Sequence, residues 1–280
     1  MIYLLLSIVS SVLIAVVIRL NEDRDLDRSG VMFFNYLTAT ALAFIFMNTE
    51  RVFYVSKQLI PISSVSGFIY VTAFMVYMKA VGRIGLAVPV TITRLSVLLP
   101  VLGSVLIFSE RMSPHQVTGF ILAVFAIYLF SGARTTDASV SKRSDMILLM
   151  LLFVLMGSGD FSLKVFQQLY PQAYLMNFVF LVFVIASLYT LVLVVIRKVR
   201  ISRGIIAGGI ILGIPNFASA FFILKVLQKF PGSIAFPLNN IGIIVLSTVV
   251  GRLFWRERLH RQTMIAVGLS ILAVILLNMY

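Results

Sequence analysis

The constraint that governs this chain is a repeated run of about 20 apolar residues, the length of helix that crosses a bilayer's hydrocarbon core. Cutting at charge clusters and Pro/Gly breaks gives ten such runs, at 2–18, 31–47, 62–81, 86–108, 115–132, 145–166, 173–196, 205–227, 232–251 and 262–279. Hydrocarbon offers the backbone no hydrogen-bond partner, so runs of this length must be helices. A β-barrel would instead show short alternating strands. The fold class is therefore an all-α polytopic membrane protein with ten transmembrane helices. Composition agrees, with 60% hydrophobic and 12% charged residues in 280. The longest polar stretches, 19–30 (RLNEDRDLDRSG) and 133–145 (ARTTDASVSKRSD), leave no room for a soluble domain. The first run starts at Ile2 without a preceding basic residue or a small-residue cleavage site, and reads as a span rather than a signal peptide.

The two halves of the chain repeat. Lys79 recurs as Lys225, Gly85 as Gly232, and Glu110-Arg111 as Glu257-Arg258, all at an offset of 146 or 147 residues. At slightly smaller offsets Arg19 matches Lys164 and Asn35 matches Asn177. The shared register indicates a five-plus-five duplication, residues 1–140 and 141–280, in one integral domain. An odd number of spans per half gives the halves opposite orientations. Inverted repeats are a transporter architecture, with the site at midplane between them.

The formal charge of +13 suggests nucleic acid, but the bases sit at the ends of apolar runs, where they meet cytoplasmic anionic lipid. Loops after spans 1, 3, 5, 7 and 9 hold most of them, including Arg24, Arg83, Arg134, Arg143, Arg197 and Arg256. The other loops hold only Arg51, Lys57, Arg111, Lys164, Lys225 and Lys229. The positive-inside rule thus places both termini outside the cytoplasm. The expected location is a plasma membrane of the prokaryotic, inner type.

Several chemistries are excluded. With no cysteine there is no thiolate or cysteine metal site, and His115 and His260 have no ligand spacing about them. No GxSxG, P-loop or GxGxxG occurs, so no enzyme and no cofactor is expected. Gly157-Ser158-Gly159-Asp160 spells GxGD, a motif of intramembrane aspartyl proteases. That chemistry needs two carboxylates sharing a proton, and Asp160 is the one acidic residue well inside a span.

What remains are polar residues inside the membrane. Arg94 lies roughly 12 Å into span 4, and Asp160 roughly 21 Å into span 6 from the same side. One reading makes them a structural ion pair; another makes them the lining of a substrate cavity; a third lets Arg94 snorkel to the surface. At an offset of 146 residues Thr93-Arg94 matches Asn239-Asn240, each pair following a proline, Pro89 and Pro237. Two interrupted segments at matching positions point to a transporter site. Tyr70 and Tyr77 share one face of span 3, and Tyr70 aligns with Asn216. The candidate substrate-binding set is Arg94, Asp160, Asn239, Asn240, Asn216, Tyr70 and Tyr77. Glu110 and Glu257 sit at helix ends, where their simplest role is to shape a loop and pair locally.

Residues 78–132 read MKAVGRIGLAVPVTITRLSVLLPVLGSVLIFSERMSPHQVTGFILAVFAIYLFSG, and 224–278 read LKVLQKFPGSIAFPLNNIGIIVLSTVVGRLFWRERLHRQTMIAVGLSILAVILLN. With ten short spans, the duplication and the repeated Glu-Arg, the chain resembles EamA-type transporters of the drug/metabolite transporter superfamily. The resemblance implies a secondary transporter moving a small polar or amphipathic metabolite by alternating access. Arg94 would bind a carboxylate, as in an amino-acid-like cargo. Asp160 would neutralise Arg94 in the empty site or carry a coupling proton. The alternative is an exporter of lipophilic cations or drugs, with Asp160 as the cation or proton site. Small-molecule substrate and membrane lipid are the expected partners, and nucleic acid is not.

Overall fold

A computed structural model describes residues 2–22, 24–49, 57–84, 87–132, 143–255 and 261–277. Among these the regular elements are helical. In chain order they are α1 (Ile2–Glu22), α2 (Arg28–Thr49), α3 (Ile60–Ile84), α4 (Ala87–Leu95), α5 (Leu98–Leu106), α6 (Pro114–Gly132), α7 (Arg143–Leu169), α8 (Leu175–Ile196), α9 (Arg203–Leu227), α10 (Gly232–Trp255) and α11 (Arg261–Leu277). Short 3-10 turns, Lys57–Leu59 and Gln172–Tyr174, lead into α3 and α8. Seven of the described helices are long and apolar enough to cross a membrane; Ile92–Leu106 and Pro114–Leu129 are shorter apolar stretches.

Local chemistry sets the helix starts. Ser113 and Gln116 form a reciprocal capping box at α6, with contacts of 2.9 and 3.3 Å, and Pro114 occupies the first helical position. Asp27 accepts from the Gly30 N–H at 2.9 Å at the start of α2, and Ser202 accepts from Ile205 at α9. Along α7, Ile147, Met150, Leu151 and Val154 form an exposed apolar stripe at helical spacing. Such a stripe faces hydrocarbon in a membrane protein, where lipid solvates it.

The helices gather into two compact units, neither of which coincides with half of the sequence. The first comprises Met1–Val71 and Val165–Gln228; the second comprises Thr72–Lys164 and Lys229–Tyr280. In the first unit α9 packs against α1 and α2, and α2 also packs against α8. Close approach there depends on small residues. A Cβ at Gly213 would meet the Asn35 carbonyl at 2.6 Å, so α9 and α2 touch through their backbones.

In the second unit α6 packs on α11 and α4, and α10 packs on α5, α6 and α11. Ala80, Leu148, Leu149 and Leu152 form an apolar cluster joined by Val76, Tyr77, Ile92 and Met156, which ties α3, α4 and α7 together.

The run at 86–108, expected as one span, is two helices of nine residues each. The break lies at Ser96 and Val97, four residues before Pro100. Proline has no N–H to give the Ser96 carbonyl, and its ring crowds that carbonyl. Instead the Leu99 N–H reaches Ser96 O at 3.0 Å, and Val97 N–H reaches Arg94 O at 3.4 Å, tightening the turn. The Ser96 hydroxyl donates to the Thr93 carbonyl at 2.7 Å. The prolines singled out in the sequence do not interrupt their helices. Pro89 sits in the first turn of α4, where its missing donor is harmless, and α10 runs on through Pro237.

Gly157 of the GxGD stretch backs onto this break. A Cβ there would lie 2.7 Å from the Ser96 carbonyl and 2.6 Å from Leu99. Gly157→Ala is expected to cost about 1–3 kcal/mol, the usual range for overpacking. Gly268, with nothing among the described residues within 4 Å of such a Cβ, is the control. Thermal unfolding in detergent checks the contrast: Gly268→Ala should leave the midpoint unchanged or higher.

Candidate functional site

The second unit holds the charged residues expected at the site. Arg94 stands in the last turn of α4, two residues before the break, and Asp160 lies on α7. Both are half-buried. They are close enough to act on each other electrostatically, and Tyr77 of α3 acts on Arg94 as well. No salt bridge joins Arg94 and Asp160, and neither forms one with another described residue. A guanidinium presents five donors in a planar fork suited to carboxylate or phosphate. Here a carboxylate acts on that fork electrostatically without forming a salt bridge to it.

The two asparagines of α10 differ. Asn240 is buried and spends its amide on the Phe236 carbonyl of its own helix at 3.2 Å. Asn239 is half-buried, and its Oδ1 has no partner among the described residues. Of the pair, Asn239 has the open acceptor.

Tyr70 and Asn216 belong to the first unit. Asn216 follows Pro215 on α9 and donates to Oδ1 of the buried Asn35 at 3.0 Å. One turn further along, Ser219 shares a 2.7 Å hydrogen bond with Ser11 of α1. Sequence reasoning did not assign Ser11, Asn35 or Ser219 to the site. Single serines and asparagines are ordinary in membrane helices, and only their stacking along α9 marks them as a polar stripe.

A third polar cluster was not anticipated in its full form. Glu110, in the segment between α5 and α6, reaches the start of α10 and accepts from the Gly232 N–H at 3.0 Å and the Ser233 N–H at 2.9 Å. Lys164 pairs with the same carboxylate at 2.7 Å and is 3% exposed. Lys164, expected from the sequence as a loop base, lies inside α7, and its charge says nothing about sidedness. The structural role expected of Glu110 fits this geometry. Its counterpart Glu257 lies outside the described residues.

Burial alone pushes the Glu110 carboxyl up. The Lys164 ammonium and the two N–H groups outweigh that and hold it below the ordinary glutamate range. A group depressed on folding adds stability above its ordinary value of about 4.3, and that stability fades as pH falls through the folded value. The wild-type advantage over Glu110→Gln should therefore be constant near neutrality and shrink below pH of about 4.3. Unfolding midpoints measured down a pH series check this; an advantage that grows on acidification contradicts it.

Lipid-facing apolar helices, a proline-broken segment and an intramembrane arginine and aspartate define an integral, multi-pass membrane protein of the transporter class. The chain belongs to the EamA-like transporter family, whose model matches residues 1–132 and again 144–279, consistent with the drug/metabolite transporter superfamily. It is 26% identical over 279 residues to an uncharacterized protein of Haemophilus influenzae, covering 97% of this chain and 95% of that one. A solved crystal structure superposes with a TM-score of 0.76 at 14% identity, covering 98% of this chain and 97% of the other. That likeness concerns the fold alone.

Proposed function

We propose that this family member is a secondary transporter for a small polar or amphipathic metabolite bearing a carboxylate, such as an amino-acid-like compound. Ten spans would form two inverted five-helix repeats, 1–140 and 141–280, working by alternating access. The observation that carries the reading is Arg94: an intramembrane arginine, half-buried, beside a broken helix, within electrostatic reach of Asp160 but not paired with it. Intramembrane charges of this kind mark substrate pathways. Arg94 would bind the carboxylate, with Tyr77, Asn239 and Asn240 completing the polar lining. Tyr70 and Asn216 would line the path in the first unit. Asp160 would neutralise the empty Arg94 or carry a coupling proton.

Uptake of a panel of labelled amino acids and small carboxylates into proteoliposomes tests this. Arg94→Ala should lower uptake at least tenfold while Arg94→Lys retains part of it, and Asp160→Asn should alter the dependence on a proton gradient. Wild-type rates in both Arg94→Ala and Asp160→Asn sink the proposal. If the single variants fail but the charge-swapped double variant transports normally, the residues are a structural pair.

Because Asp160 is not engaged by Arg94, a second reading has support: export of lipophilic cations with Asp160 as the cation site. Competition by cationic dyes but not by carboxylates would select it.

The proposed location is a prokaryotic-type inner membrane with both termini outside the cytoplasm. A C-terminal alkaline phosphatase fusion should then be active and a C-terminal green fluorescent protein fusion dark; the reverse pattern inverts the topology.

A further inference from the structure

The cluster at the start of α10 has more hydrogen-bond donors than its occupant uses. The Gly232 and Ser233 N–H groups and the Lys164 ammonium all point at Glu110. Two further hydroxyls, Ser104 Oγ and Ser233 Oγ, are fully buried and without a partner among the described residues. Ser104 Oγ lies against the Gly232 backbone, so close that any Cβ there would collide with it and would crowd the Lys164 stem at 3.1 Å. Five donors, one of them cationic, thus surround the N-terminus of a 24-residue helix. The helix dipole adds to their preference for negative charge. A lysine buried in this way requires a counter-anion, which Glu110 supplies.

Glu110 reaches this place from an irregular segment. Ser109, just before it, has φ 54°, a left-handed conformation that costs a non-glycine residue of order 1 kcal/mol. Among the described residues, the Glu110 main chain is held by its own N–H donating to the Ser104 carbonyl at 3.2 Å. The carboxylate is therefore a ligand on a short, strained tether rather than part of a regular element.

We infer that the N-terminus of α10, with Lys164, Ser104 and Ser233, is a binding site for a small oxyanion, a carboxylate or phosphate, in which Glu110 is the tethered resident. A free oxyanion that takes the place of Glu110 satisfies the same N–H groups and ammonium, and its additional lone pairs engage the two idle hydroxyls. Leaving the site frees the segment between α5 and α6. The inference uses none of the residues assigned to transport and does not depend on the cargo.

Chemical rescue tests it on the full chain in detergent. Glu110→Ala empties the site and should lower the unfolding midpoint. Acetate or phosphate in the mM range, where a tethered ligand's effective concentration falls, should restore at least half of that loss. Chloride at matched ionic strength should not. Glu110→Ala combined with Lys164→Met should show no recovery, and the wild type, its site already filled, should shift by less than a quarter as much. If Glu110→Ala does not fold, Glu110→Asn takes its place, because it keeps an acceptor for one N–H but is shorter and uncharged. Equal effects of chloride and the oxyanions, equal recovery without Lys164, or an equal shift in the wild type each overturn the inference. Rescue by acetate alone assigns a carboxylate site, and rescue by phosphate alone assigns a phosphate site.

Discussion

Hydrocarbon supplies no hydrogen bonds, and everything distinctive in this structure follows from how the chain meets that condition. Helices meet it by construction. The one span that breaks among the described residues meets it by improvisation: at Pro100 the lost donor is replaced by Leu99, and the Ser96 hydroxyl covers the Thr93 carbonyl. Gly157 lets α7 close over the Ser96 carbonyl. The break is thus sealed on one side by protein. Arg94, two residues away, stands at the end of a nine-residue helix rather than in the middle of a long one.

The two units solve the polar problem differently. In the first, neutral groups pair with each other: Asn216 with Asn35, Ser219 with Ser11, and Asn21 with the Gly208 carbonyl at 3.4 Å. Such pairs are worth little in a bilayer, and the pairing is incomplete: the buried Asn177 amide and the Ser7 and Ser63 hydroxyls have no partner among the described residues. The second unit carries charge. Glu110 and Lys164 are in contact and shielded, and Arg83 and Asp145 meet at 3.1 Å where α3 ends and α7 begins. α7 is therefore anchored by an ion pair near each end, and Asp160 lies between the two anchors.

Much of this was legible in the sequence, because the apolar period of a membrane helix is long and its interruptions are abrupt. Each expected run falls on helix in the described residues. The twofold pattern of Glu-Arg and glycine matches reappears as a family model that fits the chain twice. The break in span 4 was not legible from Pro89 and Pro237, since proline harms only a carbonyl four residues earlier. In the first turn Pro89 has none to harm, and α10 tolerates Pro237. Pro100 was the informative residue. Lys164 was misread for a related reason: a lysine near the end of an apolar run looks like a headgroup base. Only the arrival of Glu110 from an irregular segment, 54 residues away in sequence (164 − 110), shows that it is buried.

The repeat sharpens the meaning of Arg94. Its counterpart position in the other half holds Asn240, which settles its own amide on Phe236 within the same helix. A neutral amide can be accommodated that way anywhere along a span, whereas a guanidinium cannot, because no backbone carbonyl neutralises its charge. It needs an anion or water. Had Asp160 been in contact with Arg94, the pair would be closed, and separating it would cost several kcal/mol before any ligand bound. Held within electrostatic range without a salt bridge, the carboxylate lowers the cost of placing the arginine in the membrane. Arg94 against Asn240 is therefore a position at which the two halves of the sequence differ in charge.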